Sequence, residues 1–294
     1  MSKNNNDSHP IRIKNSSRGI SMGRVLSYIL LVFLAILCLF PFYLLIINST
    51  RSHVEVTNSF SLLPGNQFFN NLKGVLNKST FTIVSGMKNS ILIATLSALL
   101  TTYFSALTAY AIHMYNFKFK RIAFTFIMLV MMVPSQVSAL GFLDLIDKMN
   151  MRDTLLPLFL PAIASPITFF FMKQYMESVL PTEIVEAARV DGSSEFRTYN
   201  TIIIPIMKPA LAVQAIFAFV ASWNNYFIPA LVITSQEKKT VPILMAGLRS
   251  ASFQTFSVAE QYVAICMAII PLMIMYFILS KFIIAGVTLG SVKG

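Results

Sequence analysis

The chain has 294 residues, 55% of them hydrophobic and 12% charged, with a formal net charge of +11. That composition excludes an ordinary soluble domain, and six apolar runs are about as long as the ~20 residues that cross ~30 Å of hydrocarbon as a helix. The Lys and Arg excess flanks those runs, where membrane proteins carry it, and calls for no nucleic acid.

Residues 1–24 form a polar, basic N-terminal segment with Lys3, Arg12, Lys14, Arg18 and Arg24; residues 25–294 form the membrane domain. The first charge-free run, Val25 to Ile47, is too long for the apolar region of a cleavable signal and predicts a retained helix. A polar stretch from Ser49 to Asn89, with Pro64-Gly65, predicts an outer loop containing short ordered pieces. The second run is Ser90 to Ile112, followed by a short loop with Lys118, Lys120 and Arg121. The third, Ile122 to Leu143, contains Pro134, and the fourth, Leu155 to Met172, contains Pro157, Pro161 and Pro166. These prolines predict kinks or broken ends. Between those two runs Asp144 and Lys148 stand four residues apart, the spacing of a helix-surface ion pair. The fifth run is Pro209 to Thr234, and the sixth is Gln261 to Ser280. Cys38 and Cys266, in the first and last runs, lack metal-ligand spacing and read as packing residues.

No run shows the short alternating segments of a transmembrane barrel, so the expected fold is an all-α membrane protein with six transmembrane helices. Counting Lys and Arg by loop gives 14 on the side of the N-terminus and 9 on the other. The positive-inside rule then places both termini, and the loop between the fourth and fifth runs, in the cytoplasm of a multi-pass protein of the cell membrane.

That loop, residues 178–208, reads as a helix-turn-helix. Pro181 suits a helix start, and Glu183 and Glu186 lie near the positive end of its dipole. Ile184, Ala187 and Ala188 share one face by spacing, and the alanines keep it low. Gly192 is free to take the positive φ that ends a helix, and Ser193 or Ser194 can cap the next one, which runs through Phe196 and Tyr199 until Pro205 and Pro209 interrupt it. Such a loop is either an amphipathic element lying in the headgroup region or a docking element for a soluble partner.

Glu186-Ala187-Ala188, with Asp191-Gly192 after it and Ile202-x-Ile204-Pro205 after nine intervening residues, resembles the EAA-x3-G-x9-I-x-L-P loop of permeases from ATP-binding-cassette (ABC) importers. Ile204 stands where leucine is usual. The resemblance covers most of the chain, from Asn89-Ser90 onward. Ala221-Ser222-Trp223-Asn224-Asn225-Tyr226 and the ending Gly286-Val287-Thr288-Leu289-Gly290-Ser291-Val292-Lys293-Gly294 are similar to the maltose-type carbohydrate branch. The resemblance implies a non-catalytic permease subunit of an ATP-driven importer, carrying an oligosaccharide or related sugar. It implies as partners a second homologous permease, two cytoplasmic ABC ATPase subunits, an extracytoplasmic sugar-binding protein and surrounding membrane lipid. Glu186, Ala187, Ala188, Asp191, Gly192, Ile202 and Pro205 would then form the ATPase-coupling element, with Glu186 pairing a basic residue of the ATPase.

Trp223, Asn224, Asn225 and Tyr226 offer an aromatic face and two amides, chemistry that suits sugar hydroxyls; the same residues also serve helix packing and interfacial anchoring. Gln136 and Gln214 admit the same two readings. The chain has no G-x-x-x-x-G-K-[ST] segment, so ATP binding by a P-loop is absent here and belongs to another subunit. The competing class is an ion-gradient-driven secondary carrier, but no apolar run holds Asp, Glu, Lys or Arg for an ion relay. His9, His53 and His113 are scattered, so neither a catalytic centre, a metal site nor a cofactor is expected.

Overall fold

The computed structural model describes residues 22–250 and 256–291, and all regular elements within them are helical. Most of the basic N-terminal segment and the last three residues lie outside the described residues. In chain order the helices are α1 (Met22–Ser49), α2 (His53–Asn58), α3 (Phe68–Leu76), α4 (Ile83–Met114), α5 (Lys120–Val130) and α6 (Ser135–Lys148). They continue with α7 (Leu156–Phe159), a 3-10 turn (Leu160–Ile163), α8 (Pro166–Val179), α9 (Thr182–Val190) and α10 (Glu195–Thr198). After a π turn (Tyr199–Ile203) come α11 (Ile204–Ile206), α12 (Lys208–Trp223), α13 (Phe227–Val232), α14 (Val241–Ser250) and α15 (Val258–Ser291).

Residues 22–44 form a unit by themselves, a helix whose Leu26, Ile29, Leu30, Phe33, Ile36 and Leu37 are all exposed. A helix apolar all round is the form a membrane-facing segment takes. Cys38 is exposed on this helix, where a packing role was expected. Cys266 is partly buried, its thiol facing Leu45 O at 3.9 Å.

In the second unit, Leu45 onward, α4 is the axis against which α8 and α12 pack. Its buried residues include Ser90, Ala94, Ser97, Ala98, Thr101, Thr102, Ser105, Ala106 and Ala109. Such small side chains let helix backbones approach where lipid removes the usual hydrophobic drive. Their hydroxyls reach across the interfaces: Thr101 Oγ1 donates to Ala162 O at 2.9 Å, and Ser222 Oγ to Ser97 Oγ at 3.3 Å. One core joins the start of α4 to α3, α12, α14 and α15 around Val75, Phe219, Trp223 and Val263. A second joins the end of α4 to α8, α9 and the π turn around Tyr110, Met172, Val185 and Tyr199.

Among the described residues four helices are long and apolar enough to cross a membrane, or up to six if each of two sharply bent pairs is one span. The bends fall where proline acts. α5 and α6 meet at 99° across Pro134, which caps α6 and cannot donate a hydrogen bond to continue α5. The fourth span is longer than its charge-free run, covering Leu156–Val179 with an irregular break near Ser165-Pro166. The fifth run is not one helix: α12 ends at Trp223 and α13 begins at Phe227.

The polar loops are held by ion pairs and caps. Arg51 is buried and donates to Glu55 O and Ser59 O at 2.8 and 3.0 Å. Lys78 pairs with Glu260 at 2.6 Å and lies 3.8 Å from the Phe256 ring centroid. Glu260 also accepts from Ser257 N while Ser257 Oγ accepts from Glu260 N, a capping box at the start of α15. Gly74 leaves room for that carboxylate, since a Cβ there would overlap Glu260 Oε1. Asp144 and Lys148 form the expected ion pair, at 2.6 Å.

Candidate functional site

The 178–208 loop folds as two helices around a tight turn. Pro181 caps α9 in extended backbone, and Glu183 occupies the first turn. α9 turns Val185 and Ala188 inward, where Val185 packs fully buried against α4 and α8. Glu183, Ile184, Glu186, Ala187 and Val190 face outward, Val190 being 88% exposed. Spacing put Ile184, Ala187 and Ala188 on one face; the fold separates them, leaving Ile184 and Ala187 outside and Ala188 in the interior. Val185 decides this, because the helix seats its bulky apolar residue and brings the alanine three positions on with it.

The turn is a Schellman motif. Ser193 N donates to Ala188 O at 2.9 Å and Gly192 N to Arg189 O at 3.0 Å, with Asp191 as the exposed C-cap. Gly192 adopts φ +75°, and among the described residues beyond its chain neighbours nothing lies within 4 Å of where its Cβ would stand. Its requirement within the chain is conformational. Ser194, rather than Ser193, caps α10, accepting from Arg197 N at 3.4 Å.

Glu195 ties the two helices to the axis. Its carboxylate accepts from Arg189 Nε at 2.7 Å on one oxygen and from Tyr110 OH of α4 at 2.8 Å on the other. The Arg189 hydrogen bond is the main reason its carboxyl is lowered to about 2. Tyr199 is fully buried; its hydroxyl donates to Tyr103 O at 2.7 Å, and its ring lies 5.4 and 5.7 Å from those of Tyr103 and Tyr110. The backbone then widens: Ile204 N donates five residues back to Tyr199 O, a π register that precedes Pro205, which has no N–H to donate. Ile202 is half-buried and Pro205 exposed. A bend of 82° leads into α12.

Sequence spacing located the loop but missed Glu195 and Tyr110. These lie 85 residues apart, so only the close Arg189/Glu195 spacing across a glycine turn could have hinted at the contact.

The other predicted group sits at the α12–α13 break. Trp223 is buried, 3% exposed, and stacks on Phe219 with ring centroids 5.9 Å apart. Asn224 and Tyr226 are exposed, and with Trp223 they line a cavity of about 510 Å³ whose other walls include Met245, Ile269 and Leu272. Asn225 is half-buried and lies off that lining. Among the described residues neither asparagine amide has a side-chain partner, so neither bonds a neighbouring helix within this chain. Gln136 is exposed and Gln214 buried, and neither lines this cavity.

The profile of the binding-protein-dependent transport system inner membrane component matches residues 102–288, which include both groups. The chain belongs to this family. The permease is 31% identical over 276 residues to the arabinooligosaccharides transport system permease protein AraQ of Halalkalibacterium halodurans, covering 92% of this chain and 98% of that one. It is 32% identical to the trehalose/maltose transport system permease protein MalG of Thermococcus litoralis, over 93% of this chain and 98% of the other. Its fold is that of a chain from a bacterial ABC transporter involved in import of the acidic polysaccharide alginate, with TM-score 0.76 and 22% identity over 91% of this chain and 98% of that chain. The permease is thus an integral membrane component of an ABC import system, helical throughout its described regular elements, and its family is one of permease subunits, which are typically non-catalytic.

Proposed function

We propose that the permease forms half of a sugar-conducting pore and takes its energy from a separate ATPase through α9. The observation that carries this reading is the outward face of α9, with Glu186, Ala187 and the exposed Ile184 and Val190, held by the Gly192 turn and tied to α4 through Glu195. A small helix anchored on one side and carrying apolar and small residues beside acidic ones on the other is suited to seat in a cleft of a soluble subunit. Movement applied to α9 would pass through Glu195 and Tyr199 to α4, the helix on which α8 and α12 pack.

In this reading both termini and the 178–208 loop are cytoplasmic, six crossings form the membrane domain, and two ABC ATPase subunits lie beneath. Glu186 pairs with a basic group of the ATPase. A second, homologous permease completes the pore, and an extracytoplasmic binding protein delivers an oligosaccharide, the cargo class in the names of the AraQ and MalG relatives. Trp223, Asn224 and Tyr226 would meet its hydroxyls at the helix break, where stacking and unpartnered polar groups coincide.

The test is to tag the chain, purify it from native membranes in mild detergent, identify what accompanies it, and measure sugar uptake with ATP depleted. Recovery of a P-loop ATPase and a second permease, with uptake lost on ATP depletion, is expected. Recovery of this chain alone, with uptake driven by an ion gradient, would replace the proposal with a secondary carrier.

A further inference from the structure

Between the end of α4, the start of α5 and the middle of α8 lies a cavity of about 690 Å³ that the coupling loop and the Trp223 group leave unused. Its walls carry Lys118, Lys120, Arg121 and Lys173 together with Phe117 and Phe124. The cations come from two separate parts of the chain: three from the loop opening α5, and Lys173 from the middle of α8, 14% exposed at its side chain. Lys173 pairs with Glu177 at 2.5 Å and lies 4.9 Å from the Phe124 ring centroid. Lys120 reaches only neutral acceptors, His113 O and Asn116 Oδ1, each at 3.4 Å. Among the described residues no carboxylate pairs with Lys118, Lys120 or Arg121. One carboxylate therefore faces four cations, and the site keeps a net positive charge.

We propose that this cavity binds the headgroup phosphate of an anionic phospholipid. The cations would meet the phosphate, while Phe117, Phe124 and the exposed Ile122 offer the adjoining apolar surface that an acyl chain needs and a free ion does not. Basic cavities between membrane helices take anionic headgroups by this combination of charge and apolar contact. The site depends on the chain being embedded in a membrane, not on which cargo it carries or what drives transport.

The test uses the purified transporter in lipid nanodiscs, comparing association of spin-labelled phosphatidylglycerol with that of spin-labelled phosphatidylcholine. The wild type should select phosphatidylglycerol. Lys118→Ala with Arg121→Ala should weaken that selection by up to roughly fivefold per cation, whereas Lys148→Ala, paired with Asp144 and outside the cavity lining, should leave it unchanged. Inorganic phosphate at millimolar concentration should not displace the labelled lipid. Absence of selection in the wild type would overturn the proposal even if the variants fail to assemble. Selection unchanged by the double substitution would overturn it as well, and displacement by phosphate would show a site for free anions instead.

Discussion

Replacing Gly192 separates two reasons for a glycine in the turn between α9 and α10. At φ +75° an L-residue pays roughly 1–2 kcal/mol in the left-handed region, and Ala recovers part of this by restricting the unfolded chain, leaving a local penalty of about 1 kcal/mol. That is comparable to one of the two Schellman hydrogen bonds, at ~0.5–1.5 kcal/mol each, and shifts the balance between this turn and any alternative about fivefold. Asn tolerates the left-handed region better than Ala although it is larger, and a β-branched residue tolerates it worst. Because among the described residues beyond its chain neighbours no atom lies within 4 Å of the Cβ position, size alone costs nothing inside the permease. Conformation therefore predicts that ATP-driven uptake by the reconstituted transporter falls in the order Gly192→Asn, Gly192→Ala, Gly192→Val, with membrane insertion intact in all three. If the docked ATPase needed the empty space instead, Ala would outperform Asn. That reversed order, or full uptake in Gly192→Val, would refute the conformational argument.

Tyr110→Phe should loosen α9 from α4 at a cost of about 1 kcal/mol, read as easier proteolysis of the loop with the melting of the membrane core little changed. Because Glu195 is held at about 2, below its ordinary 4.5, the stabilisation it brings is fully present above about pH 4.5 and is lost as pH falls through 2. Glu195→Gln should remove that part of the loop's acid sensitivity in a hydrogen-exchange profile. Glu260→Ala removes the Lys78 partner and half of the capping box together, and should lower the thermal midpoint by about 1–2 kcal/mol in equivalent stability. Trp223→Ala should cost about 3–5 kcal/mol as a core truncation, whereas Asn224→Ala should leave stability unchanged and reduce sugar uptake.

Much of the coupling loop was legible because its signals are local. Proline, the alternation of acidic and small residues, and a glycine followed by two serines specify helix, turn and cap within about 15 residues. The number of apolar runs was legible for the same reason, since hydropathy needs no partner. The paths of the third and fifth runs were not: Pro134 marked a break without giving its 99° angle, and nothing local to Asn224 separates α12 from α13. The inward turn of Ala188 depends on where Val185 finds a pocket between α4 and α8. Glu195 escaped notice because its partner Tyr110 belongs to a helix far back in the sequence, and such contacts exist only after packing.

The central claim, that α9 presents one face to an ATPase and the other to its own chain, is tested most directly by a photo-crosslinking residue placed in turn on the two opposite faces of this helix. At Ala187, which is exposed, crosslinks in native membranes should join the permease to an ATP-binding subunit; at Val185, which is fully buried, they should stay within the permease. Crosslinks from Ala187 only to lipid or to this chain would contradict the account and leave α9 as an amphipathic element of the membrane surface.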